Sequence, residues 1–260
     1  MLPICGILGV SGLMSGLSGF GFSAIGALSL WFMPPTLGVP LLMSLSTANQ
    51  LMSLGQLRAD LAPWREWWPH GPTPYLMGGL LGVPIGLAIL HALPTATLML
   101  VFGGVLVIYA AYSIFKPASL HVAVKGGAVS SGLVGMAGGV IGGFTAFPGA
   151  AVVVWSGLRQ LPKRESRSIV QPYILGLQLI SLTLLAFERP ETFSKTFWII
   201  LLITVPVVLP GTLLGVNLYR NLSDVNFRRI TFLLLGVSGL GLLLKGVAAL
   251  APHAAKVAGH

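Results

Sequence analysis

GGVIGGFTAFPG, residues 138–149, interrupts an apolar stretch that runs from Gly126 to Gly157. A single helix of that length would be roughly 48 Å long, against a bilayer hydrocarbon core of about 30 Å. Lys125 precedes the stretch and Arg159 follows it, as expected if both ends lie on the same, basic side of a membrane. Two half-helices that meet at the glycine-rich break and return to the side they left fit these residues better than one rod. A second stretch, Leu2 to Phe32, has its own break at Gly16-Leu17-Ser18-Gly19-Phe20-Gly21-Phe22-Ser23 and no charge at either end.

The surrounding composition fits that reading. Of 260 residues, 55% are hydrophobic and 8% charged, where a soluble domain carries about 25% charged residues. So much apolar side chain requires lipid as its solvent. The 34 glycines and 18 prolines then point to close helix contacts and interrupted helices rather than to disorder. The net charge of +9 does not call for a nucleic acid, because Lys and Arg fall in short gaps between apolar runs. Cys5 is the only cysteine, which excludes an intrachain disulfide and argues against a metal cluster. Met1 to Gly9 lacks the basic start of a cleavable signal peptide.

Besides the two broken segments, 1 (Leu2–Phe32) and 5 (Gly126–Gly157), six apolar runs are predicted. Segments 2, 3 and 4 cover Val39–Leu57, Thr73–Leu90 and Thr95–Phe115. Segments 6, 7 and 8 cover Ile169–Phe187, Thr196–Tyr219 and Ile230–Leu250. Trp64, Trp67 and Trp68, between Arg58 and Gly71, suit a short helix anchored in the headgroup zone.

The second half repeats the first. Gly78, Leu80, Leu81, Gly82, Val83, Leu100 and Gly103 recur without a gap as Gly211, Leu213, Leu214, Gly215, Val216, Leu233 and Gly236. Ser11-Gly12-Leu13 recurs as Ser131-Gly132-Leu133, and Gly21-Phe22-Ser23-Ala24 as Gly143-Phe144-Thr145-Ala146. Gln50, Leu51, Ser53 and Leu54 recur as Gln178, Leu179, Ser181 and Leu182. Residues 1–120 and 121–260 therefore form two membrane repeats of one integrated domain.

Four simple crossings per half would make the repeats parallel and split the basic residues almost evenly. If segments 1 and 5 are re-entrant, each half has three crossings and the halves are inverted. Arg58, Arg65, Lys116, Lys125, Arg159, Lys163, Arg164, Arg167, Arg220, Arg228 and Arg229 then lie inside, and Arg189, Lys195, Lys245 and Lys256 outside. That distribution obeys the positive-inside rule. The expected fold is an all-α polytopic membrane protein of two inverted repeats, each a broken re-entrant Gly-rich segment plus three transmembrane helices.

Irregular backbone at membrane depth must be buried in protein or line a wet cavity. Half-helix N-termini there present free N–H groups and a positive dipole end, which hold an anion without a charged side chain. The same glycines also serve as small-xxx-small packing surfaces, and the sequence leaves both readings open. All six acids (Asp60, Glu66, Glu165, Glu188, Glu191, Asp224) lie in or beside loops, which disfavours a cation substrate. Ser46, Gln50 and Ser53 share one face of segment 2, and Gln171, Gln178 and Ser181 share one face of segment 6. Asn49 is about 100° around the helix from Gln50 and is expected to face elsewhere. The candidate substrate-binding residues are Gly19, Gly21, Ser23, Ser46, Gln50, Gly142, Gly143, Thr145, Gln178 and Ser181. Interhelical hydrogen bonding is the alternative role for the glutamines and serines. The run Arg159, Lys163, Arg164, Arg167 reads most simply as a topology determinant, with attraction of anions to a cytoplasmic mouth as the lesser reading.

The duplicated plan, Gly19-Phe20-Gly21, the run from Gly138-Gly139 through Pro148-Gly149, and the basic stretch Leu161-Pro162-Lys163-Arg164-Glu165-Ser166-Arg167 together resemble the TauE/SafE family of sulfite exporters, also called toluene-sulfonate uptake permeases. Phe22 and Ser23 stand where that family more often has glycine. The resemblance implies a secondary transporter in the bacterial inner (plasma) membrane that moves sulfite, a sulfonate or a related sulfur oxyanion, often as export. The residues themselves reach a small anionic substrate, with no cofactor and an open oligomeric state. A passive anion channel is the alternative on the same scaffold. No phosphate-binding Gly-x-x-x-x-Gly-Lys-Ser/Thr loop, His-Glu-x-x-His or intramembrane carboxylate pair occurs, so the chain is not expected to be an enzyme.

Overall fold

The computed structural model describes residues 1–56, 67–68, 71–115, 126–159, 161–219, 236–237 and 239–250. Among them every regular element is helical. The first half holds α1 (Leu2–Ser18), α2 (Phe22–Gly26) continued by a 3-10 turn (Ala27–Trp31), α3 (Pro35–Gln56), α4 (Thr73–Ala92) and α5 (Thr95–Phe115). The second holds α6 (Ala128–Thr145), α7 (Gly149–Leu158), α8 (Lys163–Glu188), a 3-10 turn (Pro190–Phe193), α9 (Lys195–Tyr219) and α10 (Gly239–Leu250). Trp64, the start of segment 8 at Ile230, and the loop charges Arg58, Arg65, Lys116, Lys125, Arg220, Arg228, Arg229 and Lys256 lie outside the described residues.

Five helices (α4, α5, α6, α8 and α9) are long and apolar enough to cross a membrane. Large apolar side chains line their outward faces, as with Trp198, Leu202, Ile203 and Val207 of α9 and Met77, Leu80, Leu81 and Ile85 of α4. This is a multi-pass membrane protein. α3 is as long as the others but turns Ser46, Thr47, Asn49, Gln50 and Ser53 into the interior. α6 has the length of a span yet folds back with α7. A side chain on Gly126, just before α6, would meet Arg159 at the end of α7, with Nε 2.6 Å away. The first broken segment also doubles back: Gly26 of α2 packs beside Leu8 and Ser11 of α1.

Local chemistry makes each break. α1 ends at Gly19, whose φ of 79° lies in the left-handed region that glycine adopts freely. The Ser18 hydroxyl donates to Met14 O at 2.8 Å and accepts the N–H groups of Phe20 at 3.3 Å and Gly21 at 3.0 Å. α6 ends the same way at Ala146, with φ 59°. Thr145 Oγ1 donates to Ile141 O at 2.6 Å and accepts the Phe147 N–H at 3.0 Å. Each hydroxyl satisfies backbone groups that a helix end would leave orphaned. The breaks thus pair Ser18 with Thr145 and Gly19 with Ala146, a register different from the letter match of Gly21 with Gly143.

The tightest packing crosses between the halves. α4 runs parallel to α6, with Gly82 against Met136 O, Gly86 against Val140 O, and Gly143 so close that a Cβ would lie 2.7 Å from Gly86 Cα. α9 runs parallel to α1, with Gly211 against Gly9 O and Gly215 against Leu13 O. Met136 and Gly9 each stand nine residues before their break's hydroxyl, and Val140 and Leu13 five. Packing therefore pairs Gly82 with Gly211, one turn away from the letter match to Gly215. Small residues recur every turn on these faces, so letters slip by a turn where backbone contact does not.

Candidate functional site

The two breaks meet. Phe20 of the first and Phe147 of the second both stand edge-on to the Tyr109 ring of α5, at centroid distances of 6.5 and 5.9 Å. A Cβ on Gly149, at the start of α7, would lie 3.6 Å from Phe20 Cβ. T-shaped ring pairs of this kind are favourable contacts, so Tyr109 joins the tips.

Around the first tip the polar side chains of α3 and α8 converge on Gly19. Gln50 Nε2 donates to Gly19 O at 2.8 Å. Arg167 of α8 donates from a terminal guanidinium nitrogen to Gly16 O at 3.3 Å. A Cβ on Gly19 would stand 3.1 Å from Gln171 Nε2 and 3.3 Å from Arg167 Nε. Gln171 is 1% exposed, and neither its nitrogen nor its oxygen has a hydrogen-bond partner among the described residues. The same holds for both amide atoms of Gln178, and for Gln50 Oε1 and Ser53 Oγ. Leaving such groups unpaired in a protein interior costs about 1–3 kcal/mol each, so they call for a polar partner.

The candidate residues separate by what they touch. Gly19 and Gln50 form the first tip's hydrogen-bonded core, with Gly21 in its turn and Ser23 buried in the first turn of α2. Ser46, Gln178 and Ser181 are buried on α3 and α8. Thr145 spends its hydroxyl on the second break. Gly142 backs onto the Pro148 ring, and Gly143 lies in the α4–α6 interface against Gly86. Asn49 faces the other way from Gln50: its amide donates to Ser15 Oγ of α1 and its oxygen accepts from Thr212 Oγ1 of α9.

The family model for Sulfite exporter TauE/SafE matches residues 4–242 of the 260. The chain belongs to this family. No curated protein and no solved structure matches it. The match spans both breaks, both glycine interfaces and every residue named around Gly19 in this TauE/SafE chain.

Sequence reasoning missed two of those residues as ligand candidates. Arg167 closes a basic run and reads as a loop charge, but α8 already begins at Lys163. It is the only charged side chain that is buried among the described residues, at 7% exposure. Gln171 was visible as part of the Gln178 face, and its i, i+4 spacing from Arg167 was the signal that could have joined them.

Proposed function

We propose that this chain is a secondary transporter that moves sulfite or a related sulfur oxyanion or organosulfonate across a bacterial inner membrane by alternating access. The observation that carries the reading is the meeting of the two breaks at Tyr109, beside the buried Gln171, whose amide has no hydrogen-bond partner among the described residues. A site where both hairpins contribute backbone is one that relative motion of the halves exposes first to one side and then to the other. The binding residues are the two breaks, with Gly19, Gly21, Ser23 and Thr145, and the facing polar residues Ser46, Gln50, Gln178 and Ser181.

Inverted topology belongs to the same proposal. α8 leaves from the Arg159 end of the α6–α7 hairpin, and α9 starts at the far end of α8. α1 runs parallel to α9, which supports hairpins that open toward opposite faces of the membrane. With the Arg159 end inside, Lys163, Arg164 and Arg167 enter from the cytoplasm, in line with the positive-inside rule.

Flux into proteoliposomes of the purified protein tests the function, with sulfite as substrate and sulfate, sulfoacetate and formate as competitors. Saturable, sulfite-selective flux at a carrier's turnover is the expected result. Fast flux that never accumulates sulfite against its gradient would identify a channel. No flux of any of these anions would reject transport of this class.

A further inference from the structure

We infer that the anion's –SO3 headgroup binds in an asymmetric subsite at the first break, where Gln171 and Arg167 of α8 close on Gly19, and that these two side chains are its recognition residues. The inference rests on the transporter reading and narrows its site from both breaks to one.

Three features place it there. Gln171 is buried with an unpartnered amide whose nitrogen lies 3.1 Å from where a Gly19 side chain would begin. Arg167 stands one turn earlier on the same face of α8, beside the same side of Gly19, and its guanidinium is cationic at every accessible pH. Two carbonyl groups at the end of α1, where the negative end of the helix dipole would repel an anion, are engaged: Gly16 O by Arg167 and Gly19 O by Gln50. Among the described residues, the side chains closest to the Cβ position of Gly19 are the Gln171 amide and the Arg167 guanidinium.

Among the described residues, the second break offers nothing comparable. Residues 39 and 43, at the places on α3 that correspond to 167 and 171 when Gln50 is matched to Gln178, are Val39 and Met43. Ala146 occupies the place of Gly19 and already fills the face with a methyl group. The two halves share an outline, but among the described residues the first break alone has a cation and an unpaired amide beside a residue without a side chain.

The chemistry selects the headgroup. An –SO3 group directs oxygens three ways, so it accepts from Arg167 and Gln171 together while another oxygen faces the Gln50 side. The two oxygens of a planar carboxylate point one way and leave part of the set unpaired, which a buried polar site penalises.

The test is equilibrium dialysis of radiolabelled sulfite against the purified full chain in detergent, with methanesulfonate and formate as competitors. Thermal unfolding without anion is measured alongside. Wild type should bind sulfite, with methanesulfonate competing well and formate at least about tenfold worse. Gln171→Leu should weaken sulfite binding at least about tenfold, as for one lost hydrogen bond to a charged group. Its unfolding temperature should stay equal or rise, because an unpaired amide becomes an apolar group of similar size. Gln171→Glu puts a carboxylate beside the subsite and should abolish binding, and it decides the matter if the leucine variant does not fold. Unchanged affinity in a folded Gln171 variant overturns the subsite while leaving sulfite flux, and so the transporter reading, intact. A Gln171→Leu protein that loses binding only in step with lost thermal stability assigns the residue to the scaffold and also overturns it. Formate competing as well as methanesulfonate overturns the headgroup assignment. Wild type that binds none of these anions removes the subsite and the transporter reading together.

Discussion

The side-chain amide of Gln50 donates to the carbonyl oxygen of Gly19 at 2.8 Å, tying α3 to the tip of the first hairpin. Gln178, its letter match in the second half, is as deeply buried but has no such partner. The two glutamines should therefore answer the same substitution differently. Gln50→Ala strands a buried carbonyl and should cost about 1–3 kcal/mol of stability as well as anion affinity. Gln178→Leu removes an unpaired amide and should leave stability equal or higher while weakening anion binding. Denaturation in detergent and sulfite dialysis on the two variants separate these outcomes. Equal stability losses would refute the distinction.

Asn49 is Gln50's neighbour but serves the scaffold, bridging Ser15 of α1 and Thr212 of α9. Thr212→Val keeps the shape and deletes one end of that bridge. Interhelical hydrogen bonds in membranes contribute about 0.6 kcal/mol on average and up to about 1.7, so a loss of about 1 kcal/mol is expected. Sulfite affinity should not change, because the side-chain bonds of this bridge end on Ser15 and Thr212 and none is made to Gly19, Gln50 or Gln171. A Thr212→Val protein of normal stability but poor affinity would place the bridge in the site instead.

The two roles open to glycine, packing surface and anion cradle, divide by position. Gly143 would push a Cβ to within 2.7 Å of Gly86 Cα, whereas a Cβ on Gly104 of α5 meets nothing within 4 Å. Gly143→Ala should force α4 and α6 apart and lower the unfolding temperature. Gly104→Ala should be neutral or stabilise by up to about 1 kcal/mol, the helix-propensity difference. The same measurement on both variants checks the contrast.

Ala146 holds a left-handed conformation at φ 59° that costs a non-glycine residue about 1–2 kcal/mol. Ala146→Gly should therefore stabilise the protein, by about 1 kcal/mol after the added chain entropy. Gly19→Ala should do the reverse, since it adds that strain at φ 79° and crowds Gln171 and Arg167. Chemical denaturation of the pair reads out both signs.

Both breaks were legible in the chain because a glycine cluster inside an apolar run too long for one crossing marks a helix that cannot continue. Their register was not. Gly21-Phe22-Ser23-Ala24 and Gly143-Phe144-Thr145-Ala146 match as letters, yet the hydroxyls that build the turns are Ser18 and Thr145. A turn depends on which hydroxyl reaches a free N–H, and letter identity does not record that. The polar faces of α3 and α8 were visible from spacing alone. Arg167 was hidden because its meaning depends on α1, a helix about 150 residues earlier, reaching the first turns of α8. No local pattern encodes that encounter.

Topology is the remaining prediction, and it separates the inverted layout from the parallel one. In the inverted layout, Gly127, just before α6, and Glu191, in the turn between α8 and α9, lie on opposite faces of the membrane. In the parallel layout they share a face. Gly127 has an ordinary φ of −112° and open space where a Cβ would stand, and Glu191 is exposed, so each accepts cysteine. With Cys5, the only native cysteine, changed to Ser, a membrane-impermeant maleimide added to intact cells should label Glu191→Cys. Gly127→Cys should react only after the membrane is opened, because the inverted layout turns the Arg159 end of its hairpin to the cytoplasm. Labelling of both from outside, or of neither, would put the two sites on one face. That result would break the inversion on which alternating access between the two hairpins depends.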